Sequence, residues 1–163
     1  MTLLTPDQAA VQLTQQFAAE GLGPEDIRVS RDPLSLGSTL DVTILRLGIR
    51  VEVVDRIVAE HLEPVFDRRG ELMLGWNRHV DVRYSRHALA PLVADAFERI
   101  RGLRVGESRT VGSCIVTRAE GLHSWEVELE FNEDYIPRAF PTARAAARLV
   151  AQFAAAAGRK AIP

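Results

Sequence analysis

Residues 76–87, WNRHVDVRYSRH, concentrate side chains that could bind a ligand or take part in catalysis. Arginines bind carboxylates and phosphates, histidines bind metals or move protons, and aromatic rings stack on ligands. Because side chains alternate across a strand, the apolar residues with even numbers form one face, and His79, Asp81 and Arg83 share the other. That polar face points away from the core.

Two interpretations of this polar face stay open. The simpler one is a solvated surface on which neighbouring charges pair. The other is a binding surface for a protein or a nucleic acid, since the residue types are those enriched at interaction hot spots. The candidate binding residues are Trp76, Arg78, His79, Arg83 and Arg86.

A metal centre is a third possibility for the same stretch. His79 and Asp81, together with His123, could supply the two histidines and one carboxylate of a non-haem iron site. Such sites usually lie in barrel-like folds with a deep pocket, whereas this chain interleaves helices throughout. The glycines form no nucleotide-binding motif. The sequence therefore predicts no metal and no other cofactor.

The segment 110–131 reads as a β-hairpin whose turn is Glu120-Gly121. A two-residue turn there predicts three cross-strand pairs, which are Arg118 with His123, Val116 with Trp125, and Cys114 with Val127. Cys114 then belongs to an apolar face and is a small core residue, not a nucleophile.

The opposite face of this hairpin carries an acidic row, Glu126, Glu128 and Glu130, and we expect Ser124 to lie beside it. Alternate residues on a strand are roughly 6–7 Å apart, which could suit paired acids or a hard cation. No further acidic loop completes such a site. A solvated or arginine-paired row is the favoured interpretation.

Periodicity places these segments in an α+β fold. Four helices are predicted. The first starts at Thr5-Pro6 and presents Ala10, Val11, Leu13, Phe17 and Ala18; the others span about 54–65, 89–100 and 142–157. The order strand–strand–helix recurs at 26–63, 71–101 and 109–157. We expect largely antiparallel sheets with helices on one face, in a single domain over 1–158 with a frayed tail at 159–163.

Charge and composition narrow the possible partners. The net charge is −2, but residues 76–118 hold 8 basic and 4 acidic side chains, a local charge of +4 that hints at an anionic partner. One cysteine cannot form an internal disulfide, which fits a reducing cytoplasm. No apolar run reaches the roughly 18 residues of a membrane span.

These observations favour a non-enzymatic interaction module of the cytoplasm that binds itself, as a homodimer or larger oligomer, or another protein, through sheet or helix surfaces. Nucleic-acid binding through the basic segment 76–118 is the alternative. A small metal-dependent or hydrolytic enzyme is the third hypothesis.

Overall fold

The computed structural model describes residues 5–31, 40–61, 80–130 and 136–163. Over these ranges the chain forms four helices and two mostly antiparallel sheets, which confirms the predicted α+β class. It divides into two compact units, residues 1–85 and 86–163. The single domain over 1–158 stays a prediction.

The N-terminal unit has two helices and a three-stranded sheet. Its elements are α1 (Pro6–Ala19), β1 (Ile27–Arg31), β2 (Leu40–Ile44), α2 (Val51–His61) and β3 (Val80–Tyr84). The strand order is β1-β2-β3; β1 is antiparallel to β2, and β2 is parallel to β3. Parallel neighbours need a crossover connection, and α2 lies in the chain between them. The predicted end of this helix near residue 65 and the start of the predicted strand–strand–helix unit at residue 71 lie outside the described residues.

The predicted start of α1 is confirmed. The Thr5 side chain accepts a hydrogen bond from the Gln8 backbone N–H at 3.2 Å, and the Gln8 side chain accepts one from the Thr5 N–H at 2.8 Å. This reciprocal capping box satisfies two backbone donors that the first turn would otherwise leave unpaired.

The predicted apolar face of α1 is partly wrong. Its buried residues are Ala9, Leu13 and Phe17, each four positions from the next, whereas Val11 is 57% exposed and Ala18 is also exposed. The helix packs on β1 and α2 along one narrow stripe, and residues on the flanks of that stripe stay in water.

The C-terminal unit has two helices and a four-stranded sheet. Its elements are α3 (Arg86–Ile100), β4 (Ser108–Val111), β5 (Cys114–Arg118), β6 (Trp125–Leu129), β7 (Arg138–Phe140) and α4 (Ala143–Ala156). The strands follow one another in the sheet as an antiparallel β4-β5-β6-β7. α3 packs on α4 and β4, and α4 packs on β6 and β7, so both helices cover the same face. The sequence prediction missed β4 and β7 as separate strands.

The β5–β6 pairing differs from the predicted one by two residues. Arg118 pairs with Trp125, Val116 with Val127 and Cys114 with Leu129. The reason is a longer loop: the Ala119 N–H bonds to the Ser124 carbonyl at 2.7 Å, so four residues, not two, form the turn. A shift of two keeps every strand residue on its predicted face. Ser124 is the exception, because it is only 4% exposed instead of lying with the acidic row.

A tight turn at Gly112-Ser113 separates β4 from β5. Gly112 has φ +66°, and only glycines have positive φ among the described residues. Positive φ at the first central position alone is the pattern of a type II′ turn, which matches the twist of the strands that it joins. Val111 can therefore pair directly with Cys114.

The last residues of the chain contact α3. Arg99 donates to the carbonyl oxygens of Ile162 and Pro163, at 2.8 Å in each case, while its Nε bonds to Asp95 at 3.0 Å. Ile162 is only 3% exposed and lies close to Gly112. The tail is thus part of the packed unit.

None of the helices in the described ranges has the length and apolarity that crossing a bilayer requires.

The two faces of the β5–β6 hairpin predict opposite mutational effects. Trp125, which is 5% exposed, fills core volume, so Trp125→Ala should lower the free energy of unfolding by about 3–5 kcal/mol. Glu128 is exposed, so Glu128→Ala should change it by no more than about 0.5 kcal/mol. Urea unfolding followed by circular dichroism measures both. A costly Glu128→Ala beside a benign Trp125→Ala would show that the faces are inverted.

Cys114 should be inert in the folded protein and should make stability depend on alkaline pH. It is fully buried, and burial raises the pKa of its thiol to about 11 from the usual 9.0. Since the unfolded chain ionises first, this stabilisation is complete below pH 9 and is lost as pH rises through 11, by about 2–3 kcal/mol. Native protein should not react with a disulfide reagent at pH 8, and urea midpoints of Cys114→Ala should fall less steeply above pH 9. Rapid native labelling would contradict the burial.

Candidate functional site

Arg83 is held in an ion-pair cluster on the polar face of the N-terminal sheet. Val80, Val82 and Tyr84 turn inward and Asp81 and Arg83 outward, as predicted. The Arg83 guanidinium lies 2.9 Å from an oxygen of Asp41 and 3.7 Å from one of Asp81.

Asp41 is the partner that the sequence prediction missed. It stands directly opposite Asp81 because β2 runs parallel to β3, and its side chain is only 16% exposed. Two carboxylates side by side repel each other, and one guanidinium offsets that repulsion. The cluster keeps an excess of negative charge, so Arg83 is poorly placed to attract a phosphate. Its described contacts stabilise the pairing of β2 with β3, and its part in binding stays a prediction.

Of the other residues in the predicted binding set, the structure describes only Arg86. Arg86 is exposed and begins α3, in the C-terminal unit. Trp76, Arg78 and His79 lie outside the described residues, so the structure does not test their part of the prediction.

The remaining arginines of the basic segment mostly have intramolecular partners. Arg99 holds Asp95 and the C-terminal carbonyls, and Arg101 pairs with Glu98 at 2.7 Å. Arg109 donates to the carbonyl of Arg99, and the Arg118 guanidinium lies over the Trp125 ring at 4.6 Å. These contacts stabilise the unit, and they tie up groups that a nucleic acid would otherwise contact.

A different surface stands out in the C-terminal unit, the exposed face of its sheet. We call it the open face; it comprises Ser108, Thr110, Ile115, Thr117, Glu126, Glu128 and Ala139. Register puts these side chains together, since Ser108, Thr117, Glu126 and Ala139 stand in one cross-strand row and Thr110, Ile115 and Glu128 in the next. All are exposed except Ile115 and Thr117, which are half-buried.

Charges are sorted across this sheet. Its strand arginines, Arg109, Arg118 and Arg138, all lie on the side covered by helices, opposite Val116, Trp125 and Val127 respectively. Glu126 and Glu128 lie on the open face. Glu130, just beyond β6, is exposed and continues their alternation.

Among the described residues, the carboxylates of the open face have hydroxyl and small apolar neighbours but no cation. Within the described residues, none of Glu126, Glu128 and Glu130 forms a salt bridge. The hydroxyls of Ser108 and Thr117 hydrogen-bond to each other at 2.7 Å. Among the described residues the acidic row thus has no arginine partner, as the solvated interpretation predicts.

The helix side carries the opposite charge. Arg144 and Arg148 are exposed on α4, four residues apart, and α4 contains no acidic residue. The Arg144 guanidinium lies over the Phe97 ring at 5.7 Å. Arg159 and Lys160, also exposed, follow the helix. We call these residues the basic helix face.

The described residues contain no group of three or more metal-binding side chains. His123 is an exposed loop residue and Asp81 is paired with Arg83, while His79 is not described. A small apolar pocket between α1 and β1, lined by Phe17, Leu22 and Ile27 among others, has room for about one water, roughly 30 Å³.

The sequence could have revealed more of this surface than it did. Strand parity already placed the three glutamates on one face. The sorting of the arginines needs β4 and β7, and the Gly112-Ser113 dipeptide is the local signal for the first of them.

The Arg83 cluster predicts a graded stability effect. Arg83→Ala should lower the free energy of unfolding by about 1 kcal/mol, because it leaves Asp41 and Asp81 unshielded. Adding Asp81→Asn should recover part of that loss by removing the repulsion. Arg28→Ala, an exposed arginine in the same row of the sheet, is the matched control and should change stability by no more than about 0.5 kcal/mol. Equal losses for Arg28→Ala and Arg83→Ala in urea unfolding would contradict the assignment.

Comparison of the chain with protein-family models, with curated proteins and with solved structures yields no match.

Proposed function

We propose that the protein is a non-enzymatic interaction module of the cytoplasm that associates with itself through its C-terminal unit. The observation that carries this proposal is the open face, an exposed sheet surface whose carboxylates have no cation among the described residues. A buried free cysteine supports a reducing compartment.

The shape of the open face suits contact with a flat or cylindrical partner. Serine, threonine and alanine are short, so only the glutamates stand out from the sheet. Ile115 supplies an apolar group next to Glu128 in the cross-strand row. Such a surface combines a small dry centre with charges at one side, as interfaces commonly do.

The electrostatics favour a cationic partner surface. Glu126 and Glu128 are alternate residues on one strand, roughly 7 Å apart, and no counter-charge in the described chain relieves their repulsion. A basic surface gains from both at once. Exposed arginines of α4 provide such a surface on the same chain, which is why self-association ranks above binding to another protein.

Nucleic-acid binding through residues 76–118 remains the alternative prediction. The contacts of Arg83, Arg99 and Arg101 with carboxylates favour the interaction module over it.

Self-association is tested by sedimentation velocity across a concentration series. The open face measures only a few hundred Å² per copy, below the roughly 800 Å² of a standard interface, so association should be weak. We expect the weight-average mass to be that of a monomer near 1 μM and to rise progressively towards about 500 μM at low salt. A monomer mass over the whole series would overturn the proposal.

A further inference from the structure

We infer that copies of the protein associate head to tail, with the open face of one copy against the basic helix face of the next. This inference rests on the self-association proposed above and assigns its two surfaces. The observation behind it is the distribution of charge in the C-terminal unit: glutamates lie on the bare side of the sheet, and the exposed bases of α4 and of the residues after it form no salt bridge among the described residues.

The two faces lie on opposite sides of the same two-layer unit. α4 buries Ala147, Val150, Ala151 and Ala154 while it packs on β6 and β7. Its exposed arginines therefore point away from the sheet, and the open face points away from α4. A copy bound to one face leaves the other face accessible.

Charge spacing matches across the proposed contact. Arg144 and Arg148 are one helical turn apart, about 6 Å along the axis, and on the same side of α4. Glu126 and Glu128 are about 7 Å apart along β6. A helix of 14 residues is about 21 Å long, which covers a four-stranded sheet about 14 Å across between its outer strands.

The sorting also disfavours a two-fold arrangement through either surface. A two-fold contact sets a surface against its own copy, and here that would place glutamates against glutamates or arginines against arginines. Head-to-tail contact pairs opposite charges. It leaves a free face at each end, so the product grows by addition of copies unless the geometry closes it into a ring.

Salt is the first test. Because the pairs are exposed, association at a fixed concentration should weaken about tenfold or more between about 20 mM and about 500 mM NaCl. The readout is again the weight-average mass by sedimentation velocity. Association that does not respond to salt would overturn the head-to-tail contact and leave self-association standing.

Charge reversal tests the two surfaces separately. Glu128→Lys and Arg148→Glu should each weaken association about tenfold at low salt. The matched controls make the same charge changes elsewhere in the C-terminal unit: Glu120→Lys in the β5–β6 loop and Arg104→Glu between α3 and β4, both at exposed positions. They should leave association within about twofold of the unaltered protein. Circular dichroism confirms that each variant is folded.

Mixing the two reversed proteins is the decisive step. The sheet of Arg148→Glu still carries its glutamates and the helix of Glu128→Lys still carries its arginines, so the mixture can form the native contact. It should associate at least about fivefold more strongly than either variant alone.

Three results would overturn the inference. Loss of association in only one of the two reversed variants would mean that the other surface is not the partner. Equal losses in the control variants would mean a general charge effect. A protein that stays monomeric even before substitution would instead show that the proposed self-association itself is wrong.

Discussion

The C-terminal unit depends on one constraint: its sheet is buried on a single side. Val111, Cys114, Val116 and Val127, from β4, β5 and β6, are fully shielded from water and belong to the face that α3 and α4 cover. Because side chains alternate between the two faces of a strand, the residues between them lie on the uncovered face. The glutamates stand on the uncovered side. The strand arginines lie on the helix side, where Arg109 donates to the Arg99 carbonyl and Arg118 lies over the Trp125 ring.

Local patterning was enough to predict the face of a residue, and it failed where distance along the chain mattered. A turn of two residues and a turn of four residues put the same side chains inward, so hydrophobic alternation cannot distinguish the predicted β5–β6 pairing from the observed one. Ser124 distinguishes the two pairings: it is buried, and its backbone carbonyl accepts the hydrogen bond from the Ala119 N–H that closes the longer turn. In α1, likewise, the sequence predicts the N-terminal cap but not the width of the buried stripe. That width depends on how closely β1 and α2 approach the helix.

The site residues show the same division. The outward direction of Arg83 is a property of five consecutive residues, but its partner Asp41 is 42 residues away and reaches it only through parallel pairing of β2 with β3. Arginine-rich composition likewise does not predict which group each guanidinium contacts. Arg99 donates hydrogen bonds to backbone carbonyls, and Arg118 lies over an indole ring. The first contact joins residues 63 positions apart, and the second depends on the pairing of β5 with β6. Most arginines of the basic segment 76–118 that the structure describes therefore contact other parts of the protein.

The hold of Arg99 on Ile162 and Pro163 bears on how the C-terminal unit comes apart. It joins the first helix of the unit to its last residues across 63 and 64 positions, so the backbone between them is closed into a loop. Ile162 also lies close to the Gly112 turn, so the tail contacts both α3 and the turn between β4 and β5. Detaching the tail exposes the Gly112 turn and, at the same time, removes the hydrogen bonds of Arg99 to the tail. Local fraying is thereby coupled to disruption of the whole unit, which favours all-or-none unfolding of residues 86–163 over a stepwise loss from the end.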